Sequence, residues 1–182
     1  MTELADIEIR MNDGGPARLA DWRGKVVLVV NVASKCGLTG QYEGLEALYR
    51  ARKDEGLVVV GVPANDFKQQ EPGTDAEILD FCQTRYDVSF PLASKTSVVG
   101  AEKHALYARL IADAPQADGD GPWRTRLEGF GIALNPAPEV QWNFEKFLIG
   151  RDGTVVGRFA PDVAADDPRL VAAIDRALAQ PA

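Results

Sequence analysis

A chain of 182 residues, 46% apolar and 26% charged, has the size and balance of one soluble globular domain spanning residues 1–182. Its net charge of −7, from 27 acids against 20 bases, argues against nucleic acid or an anionic membrane as partner, since both need a basic footprint. No stretch approaches the roughly 20 consecutive apolar residues of a membrane span, and MTELADIEIRMNDGG lacks the basic start and apolar core of a secretory signal, so the chain reads as cytoplasmic. Two cysteines, Cys36 and Cys82, cannot make a secreted-type disulfide scaffold, and in a reducing compartment both are free thiols.

In chain order, ADIEIRMNDGGPARLA reads as a short hairpin around Asp13-Gly14-Gly15, with Ile7, Ile9 and Met11 on one face. Val26 to Val32 is a nearly continuous β-branched run, the pattern of a strand covered on both sides. Tyr42, Leu45, Leu48 and Tyr49 recur at helical spacing from Gln41 to Asp54, Gly56 stops that helix, and Leu57 to Val62 gives a second buried strand. Strand, helix and parallel strand make a βαβ unit. A helix follows from about Thr74 to Tyr86, with Ile78, Cys82 and Tyr86 on one face.

SFPLASKTSVV predicts a third strand and Glu102 to Ile111 a third helix. Ala114 to Pro138, rich in Pro, Gly and charge, predicts a long loop in which Trp123 and Phe130 either pack the loop down or serve a contact. QWNFEKFLIG, the turn Arg151-Asp152-Gly153 and TVVGRFA predict a hairpin. A last helix is capped by Asp167, has Pro168 in its first turn, and lines one face with Leu170, Ile174 and Leu178. The whole is α/β with a mixed sheet.

Cys36 is the residue with the most chemical promise. It stands in NVASKCGLTG, at the end of the first buried strand and ahead of a helix. A thiolate rather than a thiol is the nucleophile, and helix N-termini favour negative charge because their N–H groups lack partners. Gly37 and Gly40 allow backbone donors to come close, and Thr39 makes a C-x-x-T echo of the dithiol C-x-x-C. The alternative is a small buried apolar residue, a common role for a free cysteine. Position alone does not choose between them.

Company decides. NVASKCGLTGQYEGLEALY, NDFKQQEPGTDAEI, FCQTRYDVSFP and WNFEKFLIGRDG, taken together and in this order, resemble the glutathione peroxidase family in its cysteine-containing bacterial form. The likeness runs from about Asp6 into the C-terminal helix. It implies a thioredoxin fold, a central mixed sheet flanked by helices with an N-terminal β-hairpin. It also implies a thiol peroxidase acting on hydrogen peroxide and organic hydroperoxides, re-reduced by glutathione or thioredoxin, with no bound cofactor. The family's peroxidatic residue falls on Cys36, its glutamine before E-P-G on Gln70, and its W-N pair on Trp142 and Asn143. Indole and amide N–H groups suit such a site, because they can steady a thiolate and a developing oxyanion as fixed dipoles.

The resemblance departs at Ala64, where thioredoxin-dependent members carry cysteine, and at Asp66, which replaces a glutamine. That leaves Cys82 as the other thiol of the chain, and its helical spacing turns it toward the core. Gly40 stands where relatives often have proline. Lys35 and Lys68 are the nearby basic residues that could meet glutathione. A peroxide sensor that passes its oxidation to a partner protein through a mixed disulfide would use the same reactive thiol, and sustained turnover separates the two readings.

Other chemistries lack their residues. His104 is the only histidine, predicted within a helix as a surface residue, and one histidine with two distant cysteines is no zinc spacing. GFGIAL lacks the third glycine and preceding strand of a dinucleotide loop, and there is no P-loop.

Overall fold

The computed structural model describes residues 2–182. The N-terminal hairpin forms from β1 (Glu8–Arg10) and β2 (Pro16–Arg18), paired antiparallel with Ile9 opposite Ala17. The central sheet has four strands in the order β4-β3-β5-β6. β3 (Val26–Val32) and β4 (Leu57–Pro63) are parallel, with Val29 opposite Val60. β5 (Lys146–Ile149) lies antiparallel on the other side of β3, and β6 (Val155–Phe159) closes the edge against β5. Every residue of β3 and β4 is buried, which is why both read as nearly continuous apolar runs instead of alternating ones, with Asn31 the polar exception in β3.

Helices cover the sheet: α1 (Gln41–Arg52), α2 (Asp75–Tyr86), α3 (Ala105–Asp113), α4 (Asp120–Gly129) and α5 (Pro168–Ala179). Gly56 ends the turn after α1 at φ +107°, a left-handed value that glycine adopts without strain. Thr74 caps α2 in a reciprocal box with Glu77, and Asp167 caps α5 ahead of Pro168. The antiparallel hairpin and the mixed, helix-flanked sheet match the expected fold. Among the described residues no helix is long and apolar enough to cross a membrane.

Three expectations are corrected. Ser89–Val99 is not a strand of the sheet, and only Leu92 and Ala93 make isolated bridges, to Gly61 and Met11. The Ala93, Ser94 and Thr96 amides reach the Gly61, Arg10 and Pro63 carbonyls, but carboxylates take other amides that a longer ladder would use. Asp75 accepts from the Lys95 amide at 2.8 Å and from the Ser94 hydroxyl, and Asp66 accepts from the Val98 amide at 2.7 Å. The predicted loop from 114 to 138 contains α4, which buries Trp123 and Leu127 and carries an Arg124–Asp120 pair one turn apart at 2.6 Å. Phe130, just past it, is 67% exposed. His104 is also more than a surface residue: it is the N-cap of α3, its Nδ1 accepting from the Leu106 amide at 3.0 Å.

Candidate active site

The parallel strands β3 and β4 end on the same edge of the sheet, so the segments that leave them emerge together. The first carries Cys36, the second Gln70. Cys36 is half-buried in a series of tight turns that lead into α1. Thr39 fixes this turn, with its hydroxyl accepting from the Cys36 amide at 2.9 Å and donating to the Ala33 carbonyl at 2.8 Å. The Leu38 amide, at 3.3 Å, donates to Cys36 Sγ. This places a backbone dipole on the sulfur, a contact that strengthens when the sulfur carries charge.

Gln70 follows two residues in the left-handed region, Lys68 and Gln69, both at φ +54°. Non-glycine residues in that region cost on the order of 1 kcal/mol or more each and persist where the surroundings hold them. The Gln70 carbonyl accepts from the Lys35 amide at 3.0 Å, which joins this loop to the residue before Cys36. Its side-chain oxygen accepts from Asn143 Nδ2 at 2.9 Å. With Gln70 Oε1 engaged in that bond, its NH2 group has no protein acceptor among the described residues, and neither has Trp142 Nε1. Two donor groups, the Gln70 NH2 and the Trp142 indole N–H, are thus unused by the protein.

The third segment enters from the approach to β5. Trp142 is 8% exposed and packs its ring on Phe67, with ring centres 5.6 Å apart. Asn143 is fully buried, and its Oδ1 has no hydrogen-bond partner. Phe144 is again a non-glycine at positive φ, +69°. The predicted residues Gln70 and Asn143 therefore touch directly, Trp142 adjoins them, and Cys36 connects to them through Lys35. Lys35 and Lys68 are both exposed at the rim.

Next to Gln70, Glu71 is almost fully buried and one of its oxygens, Oε2, has no partner. Burial raises its pKa, while hydrogen bonds from Ser34 and the charges of Lys95 and Lys35 act the other way. Cys82, on α2, is wholly buried, and burial pushes its thiol up to about 11. Its core-facing position agrees with its sequence spacing. Among the described residues no cluster of His, Cys, Asp and Glu has the make-up of a metal site.

Two further polar side chains, not singled out from the sequence, contact the Trp142–Phe144 segment. Asn31 is a buried polar residue inside β3, and Lys146 is wholly buried inside β5, where burial brings its pKa down to about 7. The signal was present, since a polar residue within an otherwise apolar strand needs partners.

Comparison with known proteins places the chain in one family. The family model for glutathione peroxidase matches residues 4–111. Thioredoxin/glutathione peroxidase BtuE of Escherichia coli is 46% identical over 170 residues, covering 92% of this chain and 93% of its own. Hydroperoxy fatty acid reductase Gpx2 of Synechocystis is 48% identical over 91% of this chain and 93% of its own. Among solved structures, T. cruzi GPX1 superimposes with a TM-score of 0.66 at 29% identity, over 96% of this chain and 97% of its own. A disulfide isomerase-like protein from Bacteroides thetaiotaomicron, at 18% identity and a TM-score of 0.61, shares the thioredoxin fold alone. With its fold, its motif order and near-full-length relatives in agreement, this chain belongs to the glutathione peroxidase family.

Proposed function

We propose that Cys36 is the sulfur that reacts in the thiol-dependent peroxide reduction which family membership gives this chain. Its thiolate attacks one oxygen of the hydroperoxide. An S–O bond forms as the O–O bond breaks, sulfur loses two electrons, and the departing alkoxide or hydroxide takes a proton from solvent. The products are a Cys36 sulfenic acid and an alcohol or water. The Gln70 NH2 and the Trp142 indole N–H serve as donors to the thiolate and the developing oxyanion, with Asn143 holding Gln70 in place. None of the three supplies a net proton.

An external thiol then displaces water from the sulfenic acid to give a mixed disulfide, and a second thiol restores Cys36 and leaves as the disulfide product. Glutathione and thioredoxin both fit this chemistry, and the name of the Escherichia coli relative carries both. A route through an internal Cys36–Cys82 disulfide requires α2 to open, because Cys82 is wholly buried. The mass of wild-type protein after one equivalent of peroxide distinguishes the routes. One added oxygen marks direct capture by an outside thiol, and loss of two hydrogens marks opening of α2.

The observation that carries the reading is the Asn143–Gln70 bond, which leaves the Gln70 amide protons without a protein acceptor beside the Cys36 turn. Two sets of variants test it. Cys36→Ser abolishes peroxidase turnover, and Gln70→Ala lowers the rate of Cys36 oxidation by about a hundredfold, the usual cost of a missing oxyanion donor. Turnover retained in Cys36→Ser sinks the assignment.

A further inference from the structure

The segment carrying Asn143 is gripped on both sides by buried groups. On one side stands Asn31, in β3. Its side-chain Nδ2 donates to the Trp142 carbonyl at 3.0 Å, and its main-chain carbonyl accepts from the Phe144 amide at 2.6 Å. On the other side stands Lys146, wholly buried in β5 opposite Val30. Its ammonium donates to the Phe144 carbonyl at 2.6 Å, to Gln41 Oε1 at 2.7 Å and to the Pro161 carbonyl at 3.0 Å. Three acceptors meet the three protons of an ammonium. Gln41 returns its own NH2 to the same Pro161 carbonyl at 2.7 Å.

These contacts join the two halves of the site. Gln41 is the first residue of α1 and directly follows the Cys36–Gly40 turn, while Phe144 directly follows Asn143. A buried ammonium among neutral acceptors is costly, and an apolar side chain of similar length would fill the same space in β5. Phe144 at φ +69° likewise needs its surroundings to hold it. Both local costs fall at the segment that presents Asn143 to Gln70.

We propose that Lys146, with Asn31 as its counterpart, is a positioning residue that fixes Asn143 against Gln70 and sets that pair in register with the Cys36 turn. The proposal rests on the reading of Cys36, Gln70 and Asn143 given above. Lys146 acts through Asn143 and the Gln41 end of α1, without touching peroxide.

A double-mutant cycle tests it. The second-order rate of Cys36 oxidation by hydrogen peroxide is measured for wild type, Lys146→Met, Asn143→Ala and the double variant, with urea midpoints alongside. Lys146→Met lowers the rate at least about tenfold in the wild-type background, because a displacement near 1 Å is enough for that. In the Asn143→Ala background the same substitution costs less than about threefold, since the group it positions is gone. A purely structural lysine would lower the urea midpoint yet cost the same factor in both backgrounds, and that result overturns the proposal. So does an unchanged rate in Lys146→Met. Should Asn143→Ala itself leave the rate unchanged, the reading of the site fails, and the positioning role fails with it. Asn31→Ala goes through the same cycle with the same expected pattern, so the outcome does not depend on Lys146→Met folding.

Discussion

Cys36 and Cys82 carry the same side chain in opposite environments. Cys36 is half-buried in a turn with a backbone N–H on its sulfur, whereas Cys82 is wholly buried and its thiol is pushed up to about 11. At pH 8 on the order of 0.1% of Cys82 is thiolate, and none of its surface is open to a reagent. Iodoacetamide is therefore expected to modify one cysteine of the native protein, Cys36, and both in denaturant. Equal labelling of Cys82 in the native state would contradict this placement. The sequence showed both positions, Cys36 from its turn and Cys82 from its spacing with Ile78. It did not show Asn31 or Lys146, because each stands in a strand whose neighbours are apolar, and a side-chain partner of each, Trp142 for Asn31 and Gln41 for Lys146, lies more than a hundred residues away.

At the scale of elements, legibility followed how local the determining interactions are. β3 and β4 announce themselves as apolar runs and α1 and α5 by helical periodicity, and a glycine or an Asp-Pro pair marks an end. α4 was hidden because its sequence, DGPWRTRLEG, has Gly and Pro in the first turn, where a helix tolerates them, and takes its hold from burying Trp123 and Leu127. Ser89–Val99 looked like a strand because its residues favour one, yet Asp75 and Asp66, from distant segments, take the Lys95 and Val98 amides and break the ladder. Arg126 sets its guanidinium over both Trp123 and Phe130 at the end of α4, 5.4 Å and 5.9 Å from the ring centroids, a cation–π arrangement. The start of α2 gives the prediction at this scale. Thr74 accepts from the Glu77 amide at 3.2 Å and Glu77 returns to the Thr74 amide at 3.1 Å. Thr74→Ala should lower the stability of the fold by about 1 kcal/mol, read from urea unfolding. A change near zero would mean that the box is not formed in solution.

For the whole molecule, the sequence conveyed the α/β class and, through the resemblance, the thioredoxin fold. The order β4-β3-β5-β6 depends on long-range pairing that no local pattern encodes. Two buried carboxylates tie these layers together. Glu145 pairs with Arg158 at 2.8 Å with both side chains nearly sealed from solvent, and Arg158 reaches on to the Ala114 carbonyl at 3.0 Å. Glu46 links α1 to Ser89, accepting from the Ser89 amide at 2.7 Å and hydroxyl at 2.6 Å, and also from Arg50. Burial alone would raise the Glu46 carboxyl, but the bonds from Ser89 and Arg50 outweigh it and hold the carboxyl below its ordinary value. Its folded pKa thus lies below the unfolded value of about 4.3, so its contribution to stability is complete above that pH and is lost as pH falls through the lowered folded value. Between pH 6 and pH 3 the wild type should lose more stability than Glu46→Gln, and equal losses in the two would show that the carboxylate is not held as described.

The central claim concerns one sulfur. The measurement that tests it most directly is the intact mass of Cys82→Ser after reaction with one equivalent of hydrogen peroxide and no reductant, followed by dimedone trapping and peptide mapping. One added oxygen, trapped as a dimedone adduct on the peptide containing Cys36, is the result expected. An unchanged mass, or an oxygen found on any other residue, would contradict the account.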